Sequence, residues 1–166
     1  MRSVVVVGNP RPASRTLAAA TSICERLTGA PPRRSFDLIE FGAALFDASD
    51  EQVCEAVASV RASDLVIVAS PVYKGAYTGV LKLFLDHFAP GSLSSVVAVP
   101  VMVGGLPKHA LAPEVFLKPV LVELGASCPT SSVFLLESEL QNLAVLEAWL
   151  ADSWPKLGLA SAKATT

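Results

Sequence analysis

The sequence predicts an α/β fold, a three-layer sandwich in which helices cover both faces of a five-stranded parallel sheet. Two observations predict it. Apolar, β-branched runs without polar interruption are typical of strands buried on both faces, and they occur at 4–7, 64–69 and 95–103. Each run ends at a Gly or Pro loop that is followed by apolar residues at helical spacing. Strands that alternate with helices favour a parallel sheet.

The composition limits the size and the partners of the protein. With 166 residues, of which 52% are hydrophobic, the chain can bury one large core, and we expect a single domain over 1–158. A net charge of −2 without basic runs argues against nucleic acid as a partner. The sequence has neither a run of about 18 apolar residues nor a leader-like start, so we expect a cytoplasmic protein that does not enter a membrane.

The share of charged residues is low. At 17%, it lies below the usual quarter, and the apolar surface that results favours contacts between subunits. We therefore expect a homodimer or a homotetramer.

The first strand is predicted to pass into a helix through a short loop, residues 8–16. Gly8 ends the strand, and Pro10 and Pro12 exclude both strand pairing and helix. Ser14 is a good N-cap for a helix that continues to about residue 27. Such a turn places free backbone N–H groups at the positive end of a helix dipole, a geometry that binds phosphate. We call residues 8–16 the phosphate loop.

Side chains of the phosphate loop add further donors for an anion. The candidate binding residues are Asn9, Arg11, Ser14, Arg15 and Thr16. Their hydroxyl and guanidinium groups match phosphate oxygens. The loop lacks the Gly-Lys-Ser/Thr ending of a Walker loop, the G-x-G-x-x-G pattern, the opening cysteine of a low-molecular-weight phosphatase and the carboxylates of a response regulator. An ordinary strand-to-helix turn with solvated arginines is the alternative.

Two peripheral elements precede the next buried run. Residues 35–41 alternate enough to predict a strand near an edge of the sheet. Asp50 is the predicted N-cap of a helix that ends near Ala62. The buried strand at 64–69 then follows.

The loop after that strand forms a second candidate site. Residues 70–79 combine Pro71, the aromatic Tyr73 and glycines, which is typical of a rigid loop that exposes a flat side chain. Open α/β sheets bind ligands at the carboxyl edge of their strands, and this loop shares that edge with the phosphate loop. A structural loop with a half-buried tyrosine is the alternative. A helix is predicted over 80–88.

The fourth strand runs directly into Gly104 and Gly105. Adjacent glycines let a ligand ring approach the backbone closely, and a flexible turn is the alternative. The next helix, 113–125, contains Pro119, which predicts a kink or a π-bulge. Three further segments are expected: a fifth strand over 131–136, a last helix over 139–154 and a disordered tail over 159–166.

The titratable side chains indicate neither a metal site nor a catalytic relay. Cys24, Cys54 and Cys128 lie far apart in apolar contexts, and we interpret them as buried thiols in a reducing compartment. His87 and His109 have no neighbouring carboxylate in the sequence and are interpreted as helix-surface or capping residues.

Three ordered motifs at three strand ends carry a resemblance that spans most of the chain. They are residues 8–16 (GNPRPASRT), 71–79 (PVYKGAYTG) with Leu81-Lys82 and Leu85-Asp86, Gly104-Gly105 with His109, and 117–121 (LKPVL). With these motifs the chain resembles the NAD(P)H-dependent FMN reductases of the flavodoxin-like class, and most of all the FMN reductases that serve sulfonate monooxygenases. The class and the right-handed crossover rule together give the strand order 2-1-3-4-5.

The resemblance implies roles for individual residues. Ser14, Arg15 and Thr16 would hold the FMN phosphate. Gly104 and Gly105 would face the pyrimidine edge of the flavin ring. The residues that would contact the ribityl chain and the isoalloxazine are Pro71, Val72, Tyr73, Lys74 and Gly75.

The resemblance also implies a reaction and partners. NADPH or NADH would transfer a hydride to the flavin, a reaction that needs no catalytic side chain because the cofactors carry the chemistry. Reduced FMN would pass to a monooxygenase, and subunits would associate through the third and fourth helices. A flavin-bound quinone or azo reductase and a flavodoxin-type electron carrier are the alternatives. Arg11 and Arg15, with the mild net charge, argue against the carrier.

Overall fold

Five parallel strands form one sheet in the order β2-β1-β3-β4-β5, which confirms the predicted sheet and its order. The computed structural model describes residues 1–140 and 145–158. The strands are β1 (Ser3–Val7), β2 (Arg34–Asp37), β3 (Leu65–Pro71), β4 (Val97–Gly104) and β5 (Val133–Leu136). Every residue of β1 and β3 is buried, because these strands lie inside the sheet with helices on both sides.

Helices cover both faces of the sheet, as predicted. They are α1 (Arg15–Thr28), α2 (Glu51–Arg61), α3 (Gly79–Leu85), α4 (Lys118–Glu123) and α5 (Val145–Ser153). Side chains alternate across a strand, so Val5 and Val7 pack into the core under α1 and α5, whereas Val4 and Val6 pack into the core under α2, α3 and α4. Among the residues that the structure describes, no helix has both the length and the apolar content needed to cross a membrane.

The second strand is shorter than the predicted 35–41. It ends at Asp37, and a 3₁₀ segment follows over Leu38–Phe46. The register explains the difference. Val7 pairs with Asp37 at the last position of β1, so the chain beyond Asp37 has no strand on that side to pair with. The strand prediction is therefore wrong over 38–41.

The last predicted helix is wrong at its start. Glu137–Glu139 is a short 3₁₀ turn, and α5 begins at Val145 within the described range. Residues 141–144 of the predicted helix and the whole predicted tail, 159–166, lie outside the described residues. The third helix also ends at Leu85, three residues before the predicted end.

A π-helical turn precedes α4, as the proline predicted. The turn spans Pro113–Leu117, and the N–H of Lys118 donates to the carbonyl of Pro113, five residues back. Pro119 has no N–H to offer to Val115, so the ordinary four-residue bond cannot form there. The wider turn is the physical consequence of the missing donor.

The cysteine prediction holds for two residues and fails for one. Cys24 is buried and Cys128 is partly buried, and burial raises the pKa of each thiol, that of Cys128 to about 11. Cys54 is exposed on α2, where its Sγ contacts the carbonyl oxygen of Ala48 at 3.3 Å, so its predicted burial is wrong. All three thiols are free.

Candidate functional site

A cleft lies at the carboxyl edge of the sheet, where the loops after β1, β3 and β5 meet the end of β4. All five predicted residues of the phosphate loop line it. The full lining is Asn9, Arg11, Pro12, Ser14, Arg15, Thr16, Pro71, Tyr73, Val103, Glu137 and Leu140. Neighbouring parallel strands end at the same edge, which is why loops distant in sequence come together here.

The N-terminus of α1 provides the backbone donors of the cleft. Ser14 is the N-cap, with extended backbone angles, and its Oγ accepts from the N–H of Leu17 at 3.2 Å. Ala18 donates to the carbonyl of Ser14. The N–H groups of Arg15 and Thr16 come before that bond in the chain, so helix geometry gives them no intrahelical acceptor. They form the positive end of the helix, as predicted.

A buried asparagine braces the phosphate loop from inside. The Nδ2 of Asn9 donates to Thr16 Oγ1 at 3.1 Å, and its Oδ1 accepts from the backbone N–H of Arg11 at 3.0 Å. Asn9 and Thr16 are both buried. The side-chain amide therefore ties the beginning of the loop to its end, in addition to lining the cleft.

A carboxylate from the neighbouring strand braces the middle of the phosphate loop. Asp37 Oδ2 accepts from the N–H of Ala13 at 3.0 Å, where Ala13 has a φ of 48°. Asp37 is only 5% exposed, and its Oδ1 has no hydrogen-bond partner among the described residues. Burial raises the pKa of Asp37, and the bond from Ala13 opposes that shift. Sequence reasoning missed Asp37 because it placed this residue inside a longer strand.

A second carboxylate faces the arginine of the phosphate loop. Arg15 Nη2 donates to Glu137 Oε2 at 2.7 Å, and both side chains are largely exposed. Arg11 is exposed as well. Sequence reasoning missed Glu137, although its position could have revealed it, since it is the first residue after β5 and therefore lies at the carboxyl edge.

The loop after β3 folds into a tight hairpin, Tyr73–Ala76, which we call the aromatic hairpin. Tyr73 and Ala76 exchange backbone hydrogen bonds of 2.8 and 3.1 Å. Lys74 and Gly75 between them have φ of 54° and 86°, the positive values that a type I′ turn needs. Of the predicted residues in this loop, Pro71 and Tyr73 line the cleft, while Val72, Lys74 and Gly75 do not. Tyr73 is 45% exposed and presents its ring at the cleft.

The aromatic hairpin and the phosphate loop are joined through the N-cap of α3. Thr78 Oγ1 donates to the carbonyl of Gly8 at 2.5 Å, and the N–H of Thr78 donates to Ser70 Oγ at 3.0 Å. A Cβ on Gly8 would lie 2.3 Å from Cβ of Leu81. Gly8 is therefore the residue that lets α3 approach the start of the phosphate loop.

The predicted glycine pair lies at the same edge of the sheet but outside the cleft lining. A Cβ on Gly104 would lie 2.9 Å from the ring of Phe134, so packing within the protein requires this glycine. Gly105 is exposed, with open space around it. Val103, the residue before the pair, lines the cleft instead.

Fold and cleft together define the class of the protein. A parallel sheet of this order, with a strand-to-helix turn and a cleft at its carboxyl edge, is the architecture of flavodoxin-like oxidoreductases. In agreement, the structure is similar to the apo form of an NADH:FMN oxidoreductase (EMOB), with a TM-score of 0.84, 29% identity and coverage of 97% of this chain and 91% of that chain. An oxidoreductase from Corynebacterium diphtheriae is similar as well, with a TM-score of 0.80, 26% identity and coverage of 95% and 94%.

The chain belongs to the NADPH-dependent FMN reductase family, whose sequence model matches residues 1–141. It is 33% identical to FMN reductase (NADPH) of Escherichia coli K12 over 84% of this chain and 75% of that protein. It is 32% identical to the NADH-dependent FMN reductase SfnF of Pseudomonas fluorescens Pf0-1 over 84% of this chain and 78% of that protein. The family match and these relatives confirm the predicted family, oxidoreductase class and use of FMN with NADPH or NADH.

Proposed function

We propose that residues 1–158 form one FMN-binding domain that transfers a hydride from NADPH or NADH to FMN. The observation that carries this proposal is the cleft, where a helix N-terminus, a hydroxyl and two guanidinium groups converge beside an exposed aromatic ring. The donors fit the phosphate of FMN, and the apolar surfaces fit its ring. Membership of the FMN reductase family supports the same reaction.

The phosphate loop would hold the FMN phosphate. The N–H groups of Arg15 and Thr16 and the hydroxyl of Ser14 are donors at the start of α1, and the guanidinium groups of Arg11 and Arg15 add positive charge. Asn9 holds the loop in shape through its two amide bonds. Because Asn9 makes these bonds, the backbone N–H groups of Arg15 and Thr16 stay available for a ligand.

Pro71 and the aromatic hairpin would contact the ribityl chain and the flavin ring, with Tyr73 as the main contact. Gly104 and Gly105 would lie near the pyrimidine edge of the ring at the end of β4. When bound, FMN supplies the chemistry by accepting the hydride at N5. The protein then needs to orient the two cofactors and exclude water, which explains why no side-chain acid or base is assigned.

The electron acceptor and the coenzyme define the biological role. We propose that reduced FMN passes to a separate monooxygenase, because the chain resembles the reductases of sulfonate monooxygenase systems. Some relatives are named for NADPH and others for NADH, so both coenzymes are candidates. Three free thiols support a cytoplasmic location with a reducing environment.

The helices after β4 support an oligomer. Leu111, Val115, Phe116 and Val122 are exposed by 71, 54, 47 and 53%, a density of apolar surface that favours association. We propose a homodimer or homotetramer in which α3 and α4 contact a second subunit near the flavin ring. Sedimentation velocity at low micromolar concentration should show a dimer or larger species, and Phe116→Arg should shift it toward the monomer. A fully active monomeric parent would contradict this arrangement.

A steady-state assay tests the proposed reaction. Purified protein is mixed with NADPH or NADH, with and without added FMN, and nicotinamide oxidation is followed by absorbance. We expect oxidation that depends on added FMN and saturates with it. Flavin that stays bound through gel filtration, with turnover only when a quinone is added, would favour a quinone reductase. Tight FMN binding without any nicotinamide oxidation would favour an electron carrier.

A further inference from the structure

An ion pair spans the cleft between two elements that are far apart in the sequence. Arg15 is the first residue of α1, and Glu137 is the first residue after β5. The two side chains meet at 2.7 Å between Nη2 and Oε2, and both line the cleft. The carboxylate thus occupies a donor of the guanidinium group that the phosphate loop would offer to a ligand.

The position of this pair sets it apart from the other ion pairs of the described chain. No residue of the cleft lining takes part in the other six described pairs, which are Arg2–Asp64, Arg26–Glu147, Arg34–Glu55, Lys82–Asp86, Lys118–Glu114 and Lys156–Asp152. Among the described residues that line the cleft, Glu137 is the single acid, and Arg11 and Arg15 are the basic residues. A carboxylate near a helix N-terminus is electrostatically favoured for the same reason that a phosphate is.

The pair contributes little to the stability of the fold. The side chains of Arg15 and Glu137 are 68% and 47% exposed, and pairs with this exposure are weak because water and salt screen them. A phosphate carries about −1.5 to −2 charges at neutral pH, so it competes with Glu137 for the N–H donors of Arg15 and is repelled by the nearby carboxylate.

We propose that Glu137 sets the affinity of the cleft for the phosphate group by competing for Arg15. Glu137 acts as a positioning residue that weakens FMN binding and so shortens the time for which FMN stays bound. This inference rests on the proposed function, because it assumes that the phosphate loop binds FMN. Family membership leaves the affinity for FMN open, and the inference assigns control of that affinity to Glu137.

The test compares FMN with riboflavin, which lacks the phosphate, by titration under identical salt. Glu137→Gln keeps the size of the side chain and removes its charge. We expect FMN to bind roughly fivefold more tightly, the size of an exposed ion pair, and riboflavin to bind with unchanged affinity. Glu139→Gln is the matched control. Glu139 lies two residues after Glu137 and outside the cleft lining, so removing its charge should change the affinity for neither flavin.

The double variant shows whether Glu137 acts through Arg15. In an Arg15→Ala background, Glu137→Gln should strengthen FMN binding by less than it does in the parent. An equal gain for riboflavin and FMN, or an unchanged FMN affinity in the single variant, would overturn the inference. If FMN affinity is unchanged in Glu137→Gln but the parent binds FMN more tightly than riboflavin, the proposed function still holds. A parent that binds neither flavin would overturn both.

Inorganic phosphate provides a readout without flavin. Phosphate should compete with FMN more strongly in Glu137→Gln than in the parent, because the same competition for Arg15 is removed. The KM for FMN in the steady-state assay should fall in parallel. Equal inhibition by phosphate in the two proteins would contradict the proposal that Glu137 competes with phosphate for Arg15.

Discussion

The phosphate loop and the aromatic hairpin share one edge of the sheet but are held in place by different means. Buried side chains brace the phosphate loop: Asn9 ties its two ends together, and Asp37 fixes its middle. The aromatic hairpin is held by backbone bonds, two within the turn and one from Val72 to the carbonyl of Val103 at 2.7 Å. Its prominent side chain, Tyr73, is half exposed.

The two halves of the cleft can therefore serve different parts of one ligand. A phosphate needs donors at fixed positions, and buried braces provide that preorganisation at the start of α1. A flat ring needs a surface, and a short hairpin can present one without further bonds. We therefore expect changes in the phosphate loop to alter discrimination among ligands, and changes in the hairpin to alter overall affinity.

The largest effect is expected where the two regions meet, at Gly8. In Gly8→Ala the new Cβ would lie 2.3 Å from Cβ and 2.7 Å from Cα of Leu81, so α3 must move away from the sheet. We expect a loss of about 3 kcal/mol in the free energy of unfolding, the upper end for overpacking in a core. Urea denaturation measures it.

The matched control for Gly8 is the exposed glycine at the end of β4. Gly105→Ala adds the same methyl group into open space, with a backbone that other residues can adopt. It should change the free energy of unfolding by less than about 0.5 kcal/mol. Similar losses in both variants would show that Gly8 is not the contact that joins the loop to α3.

A smaller effect is expected at the hairpin. Tyr73→Ala removes the exposed ring and should weaken FMN and riboflavin binding equally, by about two- to tenfold, since an aromatic contact contributes about 0.5–1.5 kcal/mol. Tyr73→Phe keeps the ring and should bind as the parent does. Fluorescence titration measures both ligands. Weaker binding of FMN alone would show that Tyr73 contacts the phosphate and not the flavin ring.

The smallest effect is a pH dependence at Asp37. Its pKa is raised by burial, so the stability it contributes is present below about pH 3.8 and is lost as pH rises through the folded-state pKa. Asp37→Asn removes this loss, and its stability relative to the parent should rise with pH in the window just above 3.8. Asp47, whose pKa is lowered by bonds from Ser49, should give the opposite trend below 3.8 when changed to Asn. Thermal melts of the parent and both variants across pH 3–7 show whether stability changes with pH in the expected direction in each case.

Those parts of the site whose structure depends on residues close together in the sequence could be predicted. The valines of β1, the two prolines and Ser14 determine a buried strand, a loop and a capped helix by local rules, and the structure agrees. The strand order also followed, since alternating strands and helices of this class have few arrangements. The missing N–H of Pro119 was enough to predict the π-helical turn.

The parts that depend on distant segments could not be predicted. Asp37 braces the phosphate loop because β2 ends beside β1, and the length of β2 is fixed by its partner and not by its own residues. Glu137 faces Arg15 across 122 positions of the sequence, and nothing local indicates the pair. The packing of Phe134 against Gly104 gives that glycine a role inside the protein that its position in a glycine pair did not suggest.

The ratio of riboflavin to FMN dissociation constants shows whether the phosphate loop binds the phosphate of FMN. The parent should prefer FMN. Arg15→Ala removes a charge-assisted contact of about 1.5–3 kcal/mol, so this preference should fall roughly ten- to a hundredfold while riboflavin binding stays unchanged. Arg33→Ala, which removes an exposed arginine outside the cleft lining, should keep the parent ratio. The same ratio in the parent and in Arg15→Ala would contradict the assignment.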